Sequence, residues 1–457
     1  MIRVFNHYLS TRTVLLALIE AMVLFQSMVL GYQLRLAEFS APLPLFDAAL
    51  FTVLMLLAMT ALGLYEQKLE RFRTTVQRLA VAYGLALLAM SVVFYLFPET
   101  YVGRGVMATA SVFALGGVLL LRMIFFRITD IGLPKRRVLV LGNGKEAEDV
   151  IRFLHEGERG RTIQYAGMYP VIGEREADEP ERRINHDQLG RTVRDLRVSE
   201  IVIAVRERRG GVLPLHQLLD AKLAGVRVLD LSSFYEREKG ILKLDNMRAS
   251  WLIFGHGFDR GATRDAIKRL FDITVSLGLF VVTLPILLLA MAAIVIESGR
   301  PVFYRQERVG QGGKPITVLK LRSMCRDAEG DGKPRWAGAN DDRVTRVGRI
   351  IRKTRIDELP QLINVLRGDM SFVGPRPERP FFVRQLVAEI PYYDVRHSVK
   401  PGITGWSQVS YPYGASVEDA IAKLEYDLYY VKNHSLFLDL LILIETAQVV
   451  LLGKGAR

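Results

Sequence analysis

Residues 270–296 read LFDITVSLGLFVVTLPILLLAMAAIVI. The run exceeds the roughly 20 apolar residues that a bilayer-crossing helix needs, and Pro285 interrupts it near its middle. A proline inside a helix removes an N–H donor and sets its ring against the preceding turn, so a kink is expected there. Both flanks are basic, with Arg260, Arg264, Lys268 and Arg269 before the run and Arg300, Arg305 and Arg308 after it. A helix that crossed the bilayer would place one basic flank outside and carry the last third of the chain away from the cytoplasm, against the positive-inside rule. A bent, re-entrant helix over 267–297 keeps both flanks on one side and is the expected form; a kinked ordinary span is the alternative.

Upstream lie four more apolar stretches, roughly Thr13 to Leu34, Leu43 to Tyr65, Val76 to Phe97 and Val106 to Phe126. Each approaches the length of a span, so residues 1–130 are read as four transmembrane helices. The chain has 457 residues, 50% of them hydrophobic, which is too apolar for an ordinary soluble enzyme. No short apolar core followed by a small-residue cleavage site opens the sequence, so the first stretch is read as retained. Glu20 and Asp47 fall in or beside two spans, and charges are costly in lipid, so both should face other helices or the interface. Lys68, Arg71, Arg73 and Arg78 follow the second stretch, and Arg127, Lys135, Arg136 and Arg137 follow the fourth. These positions predict that both ends of the four-helix unit are cytoplasmic, in a bacterial inner membrane.

After the basic PKRR the pattern becomes VLVLGNGKEAEDVIRFL, a buried strand, a glycine turn and an amphipathic helix. IVIAV at 201–205 and VRVLDL at 226–231 are further strand candidates, which predicts a Rossmann-like, doubly wound α/β domain over 134–250. Gly142, Gly144 and Ala147 form a variant of the dinucleotide fingerprint. No acidic residue follows IQYAGMYP to accept a ribose hydroxyl, so a structural or regulatory domain is favoured over an NAD site.

Net charge is +13, which suits nucleic acid, anionic lipid or phosphorylated substrates alike. No nucleic-acid-binding motif is present, and the cations cluster beside the apolar segments and one acidic pair, so nucleic acid is excluded as a partner. A single cysteine, Cys325, rules out an internal disulfide and a cysteine-based zinc site.

The acidic pair lies in RIDELPQLINVLRGDMSFVGPRPERP, residues 355–380. Leu359, Leu362, Ile363 and Leu366 recur at helical spacing, so Asp357 is expected at or next to an N-cap, with Pro360 in the first turn. Neighbours on a helix point about 100° apart, so Asp357 and Glu358 cannot duplicate one another. One carboxylate could attack an electrophile while the other holds Mg²⁺, which takes few carboxylates plus substrate phosphate oxygens. Simple capping is the plainer alternative. Cations shift the balance: Lys320 and Arg322 on one face of a strand, Arg349, Arg352 and Arg355 just upstream, and Arg376 and Arg379 in the Gly-Pro-Arg-Pro stretch. A diphosphate needs several such donors while its bridging bond breaks.

From Ile267 onward the chain resembles the bacterial polyprenyl-phosphate hexose-1-phosphate transferases, the monotopic phosphoglycosyl transferases that start exopolysaccharide and O-antigen repeat units. The strings that carry the resemblance are KRLFDITVSLGLFVVTLPILLL, PVFYRQERVGQGGKPITVLKLRSM, DELPQLINVLRGDMSFVGPRPERP, HSVKPGITGWSQV and YDLYYVKNHSLFLDLLILIETAQVVL. Four spans and a Rossmann-like domain ahead of them look like the family's large form. SYPYGASVEDAIAKLEYDLYY and the terminal GKGAR look like its exopolysaccharide branch.

The resemblance implies transfer of a hexose 1-phosphate from a nucleotide diphosphate sugar, with uridine the expected base, to undecaprenyl phosphate. It implies Mg²⁺ as cofactor and a ping-pong course through a covalent aspartyl phosphosugar. By the same resemblance Asp357 is the nucleophile, Glu358 the metal-binding carboxylate, and Lys320, Arg352 and Arg376 the phosphate-binding cations. Pro285 matches the helix-breaking proline of the re-entrant helix, although Leu284 stands where a small hydroxyl residue is common. The catalytic domain is expected over 262–457 as a mixed α/β, helix-rich unit whose apolar final helix lies on the membrane surface. A homodimer is the expected assembly. The competing reading is an inactive membrane-bound regulatory or nucleotide-sensing scaffold, against which the intact Asp357, Glu358 and Arg376 count.

Overall fold

A computed structural model describes residues 2–4, 7–36, 45–65, 72–132, 135–157, 163–171, 188–205, 213–247, 257–258, 261–325, 328, 342–412, 414 and 416–451. The expected cytoplasmic cations Lys68 and Arg71, the flanking Arg260 and the terminal GKGAR lie outside the described residues. The chain divides into two compact units, Leu9–Glu238 with the first two residues, and Lys239–Arg457 with Arg3–Tyr8.

The first unit opens with four apolar helices, Thr11–Leu36, Leu45–Ala61, Phe72–Leu96 and Arg104–Gly132. Three are long and apolar enough to cross a membrane, whereas Leu45–Ala61 has 17 residues and is shorter than the span expected to reach Tyr65. Gly63 explains the early end, because its φ of 71° is left-handed and stops the helix one turn short. Of the two acids in the apolar stretches, Glu20 faces other helices, as expected. Glu20 is fully buried and accepts from Arg122 Nε at 2.7 Å, Arg122 Nη2 at 3.1 Å and the Tyr65 hydroxyl at 2.5 Å. Asp47 sits in the first turn of its helix, where the helix dipole favours a negative charge.

Beyond them, four parallel strands stand in the order Ile163–Tyr169, Arg136–Leu141, Glu200–Ile203, Arg227–Asp230, with Val138 opposite Glu200 and Ile201 opposite Val228. Helices Lys145–Gly157, Gln188–Asp195 and Leu215–Leu223 connect them. Leu139, Leu141, Ile201 and Leu218 form the core against these helices. Gly142, at φ 135°, turns the chain out of the first strand and donates its amide to the Tyr169 carbonyl at 2.9 Å.

The second unit is built on one 37-residue helix, Ala262–Ser298, with Pro285 inside it. At about 1.5 Å per residue it would span roughly 55 Å if straight, yet both its ends bond to the same unit. Near the start, Lys268 pairs with Asp272 and Asp439, each at 3.0 Å, and Arg269 donates to the carbonyls of Val365 and Leu366. Near the end, Glu297 accepts from the amides of Arg346 and Val347 at 2.9 and 3.0 Å, capping helix Arg346–Lys353. Asp272, Ser276, Leu287, Ala290 and Ile294 are buried, while Leu277, Val281, Leu284, Leu288 and Val295 are exposed at helical spacing.

An antiparallel hairpin, Phe303–Val309 with Pro315–Leu321, a two-stranded parallel pair, Ser371–Val373 with Gly402–Thr404, and the remaining helices complete a mixed α/β, helix-rich unit. Its core gathers Leu362, Phe372, Tyr393, Trp406, Leu428, Tyr429 and Leu438. The amino-terminal strand joins it, with His7 Nδ1 2.7 Å from the Tyr429 hydroxyl and its ring edge-on to Trp406. The final helix, Leu436–Leu451, packs along one side on the rest of the unit. Leu438 and Ile442 are fully buried, and Asp439 accepts from the Tyr430 hydroxyl at 2.8 Å, so the acid and one apolar side serve the protein core.

Candidate active site

Asp357 and Glu358 occupy a single turn of 3-10 helix, Ile356–Glu358, between helix Arg346–Lys353 and helix Gln361–Arg367. Arg355 creates this arrangement. Its φ of 59° is left-handed, so the first helix ends and the chain swings inward at a cost of about 1–2 kcal/mol. Pro360 then caps the next helix, which places the acids one turn upstream of the N-cap expected for Asp357. A pure capping role for Asp357 is thereby removed. The half of the long helix beyond Pro285 supports the turn from below, as Leu287, Ala290 and Ile294 pack with Ile351, Ile356 and Leu359.

Both carboxylates are buried, but their surroundings differ. Glu358 Oε1 accepts from Lys320 Nζ at 2.8 Å and from Arg376 Nη2 at 2.9 Å, and Arg355 Nη1 lies 3.9 Å from Oε2. Asp357 Oδ1 has no hydrogen-bond partner among the described residues, and neither has the buried Nη1 of Arg352. A buried polar atom without a partner costs about 1–3 kcal/mol, which a bound substrate can relieve. Lys320, Arg352, Arg376, Asp357 and Glu358 are thus brought together, while Pro285 lies in the helix that packs beneath them.

Burial is the largest influence on Asp357, and together with the neighbouring negative charge of Glu358 it raises the carboxyl to about 6, against the pull of Lys320, Arg355 and Arg352. Burial also pushes Glu358 upward, but Lys320, Arg376 and Arg355 outweigh it and hold that carboxyl well below the usual range. Burial lowers Lys320, with Glu358 opposing. Two adjacent acids are thus driven apart, one firmly ionised and one poised to titrate near neutrality. If Asp357 must be ionised to react, kcat/KM should fall about tenfold per pH unit below about 6 and level off above it. The apparent value belongs to the pair. A pH–rate profile flat from pH 5 to 8 would contradict this assignment.

Among the described residues no group of three or more His, Cys, Asp or Glu side chains could hold a metal ion alone. Magnesium does not need one, since it takes one or two carboxylates and completes its shell with water and substrate phosphate. The hard oxygens of the dyad, one of them unpartnered, fit that requirement.

Three features escaped the reading of sequence. Asn364 ties helix to hairpin, accepting from Leu319 N at 3.0 Å and donating to Thr317 O at 2.7 Å, and so sets Lys320 beside Glu358. Arg322, grouped with Lys320 as a candidate cation, instead donates to the carbonyl and hydroxyl of Ser298 at 3.0 and 2.8 Å. Its strand ends at Leu321, so alternation no longer governs where it points. Arg396 and Asp427 form a buried pair at 2.7 Å behind the Arg376 turn. The only sequence signal for Asp427 was a charge among the aromatic residues of EYDLYY.

Residues 263–453 match the family described as bacterial sugar transferase. An Aeromonas hydrophila protein named UDP-N-acetylgalactosamine-undecaprenyl-phosphate N-acetylgalactosaminephosphotransferase is 43% identical over 51% of this chain, and the chain spans about half (55%) of its length. The Caulobacter vibrioides UDP-glucose:undecaprenyl-phosphate glucose-1-phosphate transferase is 45% identical over 42% of this chain and 72% of its own. The Salmonella typhimurium undecaprenyl-phosphate galactose phosphotransferase is 30% identical over 86% of this chain and 82% of its own, so that likeness extends into the amino-terminal unit. The chain belongs to the bacterial sugar transferases, within the polyprenyl-phosphate hexose-1-phosphate transferases.

Proposed function

We propose that this protein transfers a hexose 1-phosphate from a UDP-sugar to undecaprenyl phosphate, the first step of an exopolysaccharide repeat unit, through a covalent intermediate on Asp357. The observation that carries the reading is the contrast within the dyad, an unpartnered Asp357 oxygen beside a Glu358 that holds Lys320 and Arg376 in place. The Asp357 carboxylate attacks the phosphorus that bears the sugar. The bond from that phosphorus to the bridging oxygen breaks, and UMP leaves with the oxygen and its electron pair. An oxygen of undecaprenyl phosphate then attacks the same phosphorus and releases the carboxylate, giving undecaprenyl diphosphate sugar. Each displacement exchanges one phosphate ester or anhydride for another, so one site serves both substrates in turn.

Lys320, Arg352 and Arg376 bind the diphosphate and take up charge as the bridge opens. Bound at Glu358, magnesium would add further neutralisation of the diphosphate charge. A re-entrant course for Ala262–Ser298 is supported by the bonding of both its ends to one unit and by the apolar side it leaves exposed between them. This would seat the dyad at the cytoplasmic face of the inner membrane, where a lipid phosphate and a soluble nucleotide can meet. The parallel sheet of the amino-terminal unit, with no acid at the end of its second strand, where Tyr169 and Pro170 stand, supports a Rossmann-like domain without a dinucleotide.

Purified protein incubated with Mg²⁺, undecaprenyl phosphate and each of a panel of UDP-sugars should release UMP with at least one sugar. Release should continue for many turnovers only when the lipid is present. Failure to release UMP from any UDP-hexose would contradict the proposal.

A further inference from the structure

The loop that presents Arg376 is fastened to an unusual degree. Four successive carbonyls each accept a hydrogen bond from another part of the unit. Pro375 O accepts from Gly402 N at 2.9 Å, Arg376 O from Arg396 Nη2 at 3.0 Å, Pro377 O from Arg308 Nη1 at 3.1 Å, and Glu378 O from Val309 N at 2.9 Å. Upstream, Gly374 N donates to Thr404 O at 2.9 Å, and a side chain at Gly374 would collide with the Lys400 carbonyl. Prolines at 375 and 377 leave the loop unable to form its own backbone ladder, so its carbonyls draw donors from elsewhere, two of them backbone amides and two guanidinium groups.

Arg396 is the central donor and is itself held through both terminal nitrogens, while its buried Nε has no hydrogen-bond partner among the described residues. It is 6% exposed, and the same Nη2 that reaches Arg376 O lies 2.7 Å from Asp427 Oδ2. Its Nη1 donates to the Tyr393 hydroxyl at 2.6 Å, and Ser407 Oγ donates to the other Asp427 oxygen at 2.6 Å. Burying a guanidinium–carboxylate pair is expensive, and a well-packed apolar pair of the same volume often serves stability as well. What such a pair offers in addition is a fork of donors fixed in direction.

We infer that Arg396, oriented by Asp427, is a positioning residue that aims Arg376 at the diphosphate by fixing the Arg376 carbonyl. The inference rests on the phosphate-binding role proposed for Arg376. A guanidinium displaced by about 1 Å can cost on the order of 10²-fold in rate. Lysine at 396 keeps the charge opposite Asp427 but cannot serve Asp427, Tyr393 and the Arg376 carbonyl from one planar fork.

The test is a double-mutant cycle in the full-length protein, reading kcat and KM by UMP release alongside the thermal midpoint of each variant. Arg376→Ala alone should be strongly impaired. Arg396→Lys alone should lower kcat about 10–100-fold, and in the Arg376→Ala background should cost less than about threefold. Equal losses from Arg396→Lys in both backgrounds would overturn the positioning role while leaving the phosphate role of Arg376 intact. Wild-type turnover by Arg376→Ala would remove the phosphate role, and the positioning role with it. If Arg396→Lys fails to fold, the same cycle is run with Ser407→Ala, which frees one Asp427 oxygen; additivity there would overturn the inference equally.

Discussion

Asp357→Asn is expected to reduce UMP release by at least about 10⁴-fold, with KM for the donor changed little. The two side chains have nearly the same shape, so the buried turn, the Lys320–Glu358–Arg376 cluster and the fold should persist. What disappears is the nucleophile. An amide cannot form the acyl phosphate from which undecaprenyl phosphate later displaces the sugar phosphate. Because the variant also removes the negative charge beside Glu358, it should be at least as thermostable as the parent, a direction opposite to that of ordinary core damage. Near-normal turnover by a stably folded Asp357→Asn protein would remove the nucleophile assignment.

Glu358→Gln is the second large effect, and it differs in kind. Lys320 and Arg376 lose the negative charge of their shared acceptor, 2.8 and 2.9 Å away, and their side chains are 19% and 32% exposed. Leaving buried cations without a counter-charge costs about 3–5 kcal/mol, here at the lower end because Arg376 is partly solvated. Catalysis should fall on the order of 10²–10³-fold, since the phosphate donors are no longer preorganised. A third consequence identifies the mechanism. Removing a neighbouring negative charge makes ionisation of Asp357 easier, so the acid limb of the residual activity should move to lower pH, away from about 6. A limb that stays in place or moves upward would mean that Glu358 does not set the ionisation of Asp357.

Residue chemistry was legible in sequence further than geometry was. Two adjacent acids among lysines and arginines point to phosphate chemistry whatever the fold, because a diphosphate demands that inventory. Which cation meets which acid depends on contacts distant in sequence. Lys320 reaches Glu358 because Asn364 fastens a helix to a hairpin, and Arg322, two residues away, is taken by Ser298. Periodicity placed Asp357 at an N-cap because Leu359, Leu362, Ile363 and Leu366 repeat at helical spacing. It has no term for a left-handed arginine, and Arg355 displaced the acids by one turn. The second apolar stretch was read too long for the same reason, since hydropathy continues past Gly63 while the helix does not. In the final helix, composition did not show that Lys268 and Tyr430 recruit Asp439 into the core. In each case a single long-range bond or one unusual φ overrode a correct local signal.

Intact-protein mass spectrometry of enzyme incubated with its UDP-sugar donor, without lipid acceptor, tests the account most directly. It predicts a mass increase of one sugar phosphate that is absent in Asp357→Asn and is discharged when undecaprenyl phosphate is added. An unmodified mass, under conditions in which the complete reaction proceeds, would contradict it.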